Sequence, residues 1–194
     1  MHPVCQPFVA IRAQAADDLR EKEMAFGLWE ASVPVFVNTL TDMRAWLDKA
    51  AAEKDEAALL EARLAPDMRP LPAQYQMASD SAKNALARLT GAAAPPMPDT
   101  EQSFADLRER CDKTIAFLNG FDAASLNDSE GRSVELKFPN GQGYRWDGAA
   151  YLTGFALPNS FFHATTAYAI LRNAGVSLGK PDFLQHLGPP NITA

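Results

Sequence analysis

The chain has 194 residues, 47% hydrophobic residues and a formal net charge of −6. This length and composition suffice for one domain with a sizeable core, which argues against global disorder. An acidic chain lacks the basic face that a general nucleic-acid binder needs, and it is not drawn to anionic membranes. The sequence has no apolar run of about 18 residues and no secretory signal pattern, so we expect a cytoplasmic protein without a membrane partner.

The first 23 residues differ in pattern from the rest of the chain. They contain two prolines, a polar, alanine-rich stretch and no apolar stripe. We therefore expect residues 1–23 to be a flexible extension, or an over-long start, that contributes little to a core. The periodic part that follows, residues 24–184, is the predicted domain, and residues 185–194 form a C-terminal tail.

Apolar residues recur at intervals of three and four along four long segments, which predicts amphipathic helices that pack as a bundle. The predicted helices cover residues 26–51, 71–90, 100–119 and 149–174, with a short helix at 55–64. Trp46 lies on the apolar stripe of the first long helix and is predicted to anchor the core. Asp99 and Asp147 are expected to cap the third and fourth long helices, and Pro158 predicts a kink in the fourth.

Residues 133–146 change from a helical period to an alternating one. Val134, Leu136 and Phe138 alternate with polar residues, and an Asn-Gly pair follows at position 140. This pattern predicts a β-hairpin, which should lie against the helices because an isolated hairpin is marginal in water. The predicted fold class is therefore all-α, a four-helix bundle with a small β-hairpin inserted before the last helix.

His163 is the candidate functional residue of the fourth long helix. It lies on the predicted inward face with Asn159, Phe162 and Thr166, because helical spacing places residues three and four apart on one strip. Gln74 is the polar residue on the inward face of the second helix. The polar members of this set could form a satisfied core network, a ligand pocket or, with one histidine, a poor metal site. No inward carboxylate is seen beside His163, so we expect a neutral, hydrogen-bonded ring.

Other polar and reactive residues are assigned structural roles. Asp80 and Lys83, three residues apart on a helix, are predicted to form a surface ion pair. Asp67 could cap the start of the second long helix. Cys111 falls on an apolar stripe and is predicted to be a small core residue, and His186 in the tail is expected to be solvated.

Four stretches of the chain, in this order, resemble the DUF1993 family of bacteria and fungi. The stretches are Ala31–Phe36, Arg63–Met68, Leu157–Arg172 and Gly175–Lys180, the last followed by Asp182 and Phe183. The resemblance covers about residues 24–184. Members of that family typically begin near the position of Met24, which agrees with reading the preceding residues as an extension.

The DUF1993 family in turn resembles the DinB/YfiT-like superfamily. This resemblance implies an up-down-down-up bundle, frequent homodimers and, in many members, a divalent metal held by three histidines. Some members of the superfamily are metal-dependent thiol-transferring enzymes. His163 matches the first histidine of the superfamily's H-x-x-x-H pair, but Ala167 stands at the second position. No histidine between His2 and His163 supplies the third ligand, and Gln74 or Asp80 could replace it only in a harder, weaker site. We therefore expect no metal and no cofactor.

Two functions stay open on the sequence. The first is a non-catalytic module that binds a small molecule or a partner in a polar pocket around Asn159 and His163. The second is a DinB/YfiT-like transferase or hydrolase, metal-dependent or not, in which His163 is the general base and Asn159 or Gln74 orients the substrate. Phe161 and Tyr168 lie off the inward stripe, so they could cover the hairpin or form a contact in a homodimer, which we expect.

Overall fold

The computed structural model of the protein describes residues 26–192, so the extension predicted for residues 1–23 lies outside the described part of the chain. The structure is mostly helical, with one two-stranded antiparallel sheet. The helices are α1 Leu28–Glu53, α2 Glu56–Glu61, α3 Leu71–Thr90, α4 Phe104–Leu118, α5 Gly148–Tyr151, α6 Leu157–Asn173 and α7 Lys180–Phe183. The strands are β1 Val134–Lys137 and β2 Gly143–Trp146. Short 3₁₀ turns are formed by Ala123–Leu126 and Gln185–Leu187.

The apolar stripes of α1, α3, α4 and α6 meet in one core. α3 lies against α4 and α6, and α1 lies against the same two helices. Removal of these apolar side chains from water is the main stabilising contribution to the fold. Trp46 is 1% exposed, which confirms the inward position predicted for it. None of the helices within residues 26–192 combines the length and the apolar character that a membrane crossing requires.

The first turn of α4 begins later than the sequence predicts, and Asp99 does not cap it. The cap is Ser103, whose hydroxyl accepts a hydrogen bond from the Asp106 N–H at 3.1 Å. Asp99 instead forms an ion pair with Arg110 at 3.1 Å. Asp67 also does not cap α3, because that helix begins at Leu71 and the extended Pro70 occupies its N-cap position.

Asp147 caps α5 as predicted, accepting a hydrogen bond from the Ala150 N–H at 2.8 Å. The helix continues from α5 into α6 through a π-helical turn, Leu152–Ala156. Pro158 follows this turn directly. Because proline has no N–H and its ring crowds the preceding turn, a wider π turn is a common way to accommodate it, so a π turn stands where a kink was predicted.

The predicted hairpin is present and its register pairs Val134 with Trp146 and Leu136 with Tyr144. Val134 is buried, and the Trp146 ring stacks on Phe155 at a centroid distance of 5.6 Å. One face of the hairpin therefore packs against the helical core, as expected for a two-stranded unit that is marginal by itself.

Candidate functional site

His163 on α6 and Gln74 on α3 form a hydrogen-bonded pair of side chains. Gln74 donates from Nε2 to the Arg69 carbonyl at 2.9 Å, so its Oε1 is left to accept from His163 Nδ1 at 3.0 Å. Both side chains are buried. Burial lowers the pKa of His163 below its usual value, because a low-dielectric environment disfavours the imidazolium, and this favours the neutral ring that the sequence predicts.

The other two residues predicted beside His163 are engaged elsewhere. Asn159 donates to the Ser81 hydroxyl at 2.6 Å, and the Thr166 hydroxyl donates to the Phe162 carbonyl of its own helix at 2.7 Å. The main cavities of the described residues are lined by other side chains, except that Thr166 borders a shallow surface groove. The structure thus brings together only Gln74 and His163 of the four predicted site residues.

Asp80 and Lys83 are not the surface pair that the sequence predicts. The Lys83 side chain is 7% exposed, and Asp80 Oδ1 contacts both Lys83 Nζ at 2.9 Å and Arg110 at 3.0 Å. Arg110 is also buried and holds Glu101 at 2.7 Å. The linker before α4 folds over these groups, which the sequence pattern of α3 alone does not reveal. The Asp80 carboxylate is therefore already engaged by two cationic side chains.

A second polar pair lies on the other side of α6 from α3, where α1 meets the C-terminal residues. Asp42 on α1 is 2% exposed, and its Oδ2 lies 2.7 Å from His186 Nδ1. His186 was expected to be solvated, and the residue as a whole is exposed; its side chain, which contacts Asp42, is 26% exposed. Burial raises the pKa of Asp42 above its usual value, and the hydrogen bond with His186 opposes the shift.

A cavity of about 230 Å³ opens beside this pair. Apolar side chains make up most of its wall, and Asn38 and Thr39 add neutral polar groups. The lining residues are Val35, Asn38, Thr39, Asp42, Trp46, Phe161, Phe183, Leu184 and His186. The walls therefore come from three parts of the chain: α1, the start of α6 and the C-terminal segment.

The C-terminal segment 180–187, here called the strap, is fixed to α1 by several contacts. Trp46 Nε1 donates to the Asp182 carbonyl at 2.9 Å, and the Asp182 carboxylate pairs with Lys49 at 2.9 Å. Phe183 stacks on the Trp46 ring at 5.4 Å. Tyr168, which is partly buried, packs edge-on against both rings and so supports the strap from within the molecule.

Phe161 separates the cavity from an apolar surface groove. The groove is lined by Leu64, Phe161, Phe162, Thr165, Thr166 and Ala169. Phe162 was predicted to face the core, but it is 56% exposed. His163 and Thr166 occupy the inward strip of α6. Phe162 precedes His163 by one residue, which is about 100° around the helix, so its side chain points away from this strip.

Cys111 is buried on α4, as predicted for a small core residue. Burial raises the pKa of its thiol to about 12, so the nucleophilic thiolate is scarce at neutral pH.

The residues around His163 do not match the three-histidine metal site that the superfamily resemblance implies. Ala167 occupies the second histidine position and is fully buried in the core, while Gln74 takes the Nδ1 atom of His163. Within residues 26–192, no three histidine, cysteine, aspartate or glutamate side chains converge on one point as metal ligands would.

Comparison with known proteins agrees with the fold. The sequence model of DUF1993, a domain of unknown function, matches residues 28–184. A crystal structure of a DinB family member from Shewanella denitrificans, at 1.83 Å resolution, superposes with a TM-score of 0.76 and is 37% identical in sequence. The similarity covers 86% of this chain and 95% of that one. No curated protein matches the chain.

Proposed function

We propose that this chain, which belongs to the DUF1993 family, is a small-molecule-binding protein whose ligand occupies the cavity beside Asp42 and His186. One observation carries the proposal: a concave, mostly apolar space whose wall holds a buried carboxylate, Asp42, in contact with His186. Sites for small ligands typically have this composition, in which apolar walls supply affinity and a few polar groups fix the orientation.

The polar pair supports a functional role for this cavity. A buried carboxylate is costly to desolvate, and a surface strap could be held equally well by apolar contacts such as Phe183 on Trp46. Titratable groups whose pKa is shifted by burial, with a specific partner and beside a cavity, cluster at functional sites. Asp42 meets all three conditions, with His186 as its specific partner.

The proposal includes the finer topology of an up-down-down-up bundle of the DinB/YfiT-like kind. The contacts of α1 with α4 and α6, and of α3 with the same two helices, support this topology. The linker between α3 and α4, residues 91–103, is long enough to return along the bundle and start α4 parallel to α3.

A second candidate function is catalysis at the same cavity, as a transferase or hydrolase. The contact of 2.7 Å between Asp42 and His186 Nδ1 is the arrangement by which a carboxylate orients a histidine general base. His163 has an amide partner instead, which holds the ring but does not stabilise an imidazolium. In an enzyme, the role predicted for His163 would therefore fall to His186.

The ligand pocket predicted around Asn159 and His163 stays a prediction. The closed Gln74–His163 pair supports a simpler role for these residues, which is to hold α6 against α3. We also propose that the protein forms a homodimer, because Phe161, Phe162 and Leu64 leave an apolar surface groove. The cytoplasmic location and the lack of nucleic-acid partners rest on composition and stay predictions as well.

A thermal-shift screen of small metabolites and fragments tests the proposed site. A ligand that binds only the folded protein raises the melting temperature. We expect the shift to persist in His163→Gln, the matched control, and to disappear in His186→Gln. Ligands whose shift is lost in His163→Gln and kept in His186→Gln would contradict the proposal and return the site to the pocket predicted from the sequence.

A further inference from the structure

We infer that the cavity selects uncharged molecules that present a hydroxyl donor on an apolar body, and that His186 Nε2 accepts the hydroxyl proton in a hydrogen bond. This inference rests on the proposed function, because it names the class of ligand for the same cavity. It follows from the protonation pattern of the Asp42–His186 pair and from the uncharged walls around it.

The hydrogen bond to Asp42 fixes which nitrogen of His186 carries the proton. An ionised carboxylate can only accept a hydrogen bond, so Nδ1 of His186 is the donor to Asp42 and carries the proton. The second nitrogen of a neutral ring is then a lone-pair acceptor. Within the described residues Nε2 makes no hydrogen bond to protein, while the ring borders the cavity. A ligand that donates would satisfy this acceptor, and a ligand that only accepts would not.

The walls of the cavity exclude a charged ligand. The pair already carries the one negative charge of Asp42, so an anionic ligand would be repelled at close range. Lys49 and Asp182, the nearest ion pair of the strap, neutralise each other and do not line the cavity. A cation would have to give up its hydration for a carboxylate that His186 already occupies.

Neutral polar groups on α1 complete the selection. The Thr39 hydroxyl donates to the Val35 carbonyl at 2.8 Å, so its own donor is used. Asn38 borders the cavity, and its side-chain amide can donate to the oxygen of a hydroxyl whose proton points to His186. The apolar body of the ligand would contact the Trp46 and Phe161 side chains.

Matched six-carbon probes test this inference by NMR titration at pH 8, where an ordinary imidazole is neutral. Cyclohexanol donates and accepts, cyclohexanone only accepts, and cyclohexanecarboxylate is an anion. The readout is the indole N–H resonance of Trp46, which lines the cavity and bonds to the strap. The Trp29 indole, which donates to the Phe121 carbonyl elsewhere in the molecule, is the internal control.

We expect cyclohexanol to shift the Trp46 resonance with a Kd about ten-fold lower than that of cyclohexanone, the effect of roughly one hydrogen bond. Cyclohexanecarboxylate should leave Trp46 unshifted, and the Trp29 resonance should stay in place throughout. The variant His186→Phe keeps an aromatic ring and removes the acceptor. In this variant the Kd of cyclohexanol should rise to that of cyclohexanone. His163→Gln, at a residue that does not line the cavity, should preserve the ten-fold preference.

Two results would separate the inference from the proposal on which it rests. Equal binding of cyclohexanol and cyclohexanone, or tighter binding of the carboxylate, would overturn the ligand class while leaving the cavity as a binding site. A Trp46 resonance that no probe shifts would overturn both.

Discussion

Two histidine pairs, His163 with Gln74 and His186 with Asp42, differ in the partner group, in the segments they join and in whether a cavity lies beside them. The first joins two long helices through an amide and has no cavity of its own. The second joins α1 to the strap through a carboxylate, and a cavity of about 230 Å³ lies beside it. An amide partner gives a neutral contact suited to holding helices together, whereas a carboxylate partner polarises the ring and leaves a reactive nitrogen. The difference shows that a position on a core-facing stripe identifies a buried histidine, whereas the partner and the cavity beside a histidine become visible only in the structure.

The largest effect should come from removing the ring that supports the second pair. Trp46→Ala takes away a fully buried side chain together with its hydrogen bond to the strap and its stacking on Phe183. Truncation of a large core aromatic costs about 3–5 kcal/mol, to be measured by urea unfolding. Trp29→Ala, at a half-buried site, is the control and should cost less. Near-wild-type stability of Trp46→Ala would mean that the strap and the cavity are not formed in solution.

Breaking the contact between Asp42 and His186 should lower the free energy of unfolding less than removing Trp46 does. His186→Ala leaves the Asp42 carboxylate buried without its partner, which should lower the free energy of unfolding by about 1–3 kcal/mol. His163→Ala removes a neutral partner and should cost an amount in the lower part of that range. A smaller loss for His186→Ala than for His163→Ala would reverse the comparison between the two pairs.

Protonation of His163 and protonation of Asp42 should change the free energy of unfolding in opposite directions. The folded-state pKa of His163 lies below its usual value, so the unfolded chain binds the proton more tightly and stability falls as the pH drops from about 6.5 towards the folded-state pKa. The folded-state pKa of Asp42 is raised, so its protonation at lower pH favours the folded state. Unfolding measured from pH 7.5 to 5 should show a weaker acid loss in His163→Gln than in wild type. An unchanged acid loss in that variant would place the titrating group elsewhere.

The smallest effect on stability should come from Phe162, which touches the His163 ring edge-on at 5.1 Å yet is mostly exposed. Phe162→Ser should change the free energy of unfolding by about 0.5 kcal/mol or less, as is usual for surface positions. It should nevertheless convert a dimer to a monomer in sedimentation experiments, if the apolar groove is the dimer contact. Wild-type protein that sediments as a species of 21.1 kDa at micromolar concentration would contradict the proposed homodimer.

The features that the sequence predicts well are those encoded within one helix. All seven residues on the predicted stripe of α3 are buried: Leu71, Gln74, Tyr75, Ala78, Ala82, Ala85 and Leu89. Their spacing alone places them on one face, so no knowledge of the partner helix is needed. The hairpin follows from its alternation and its Asn-Gly turn for the same reason.

The features that the sequence does not predict depend on contacts between distant segments. Asp99 and Ser103 are equally good caps by residue type, and Arg110 decides between them by holding Asp99. Asp42 and His186 are separated by 144 positions, and the tail has no periodicity that would place its histidine on α1. The one local signal was an aspartate four residues before Trp46, on the same face of α1 as that core residue.

The long separation of Asp42 and His186 has a kinetic consequence. Loop-closure entropy must be overcome before such a contact contributes stability, so the strap is expected to settle on α1 after the helices have associated. The cavity would then be absent from the transition state for folding. A compound bound in the cavity should lower the rate of unfolding, and more so the tighter it binds, while the rate of refolding stays unchanged.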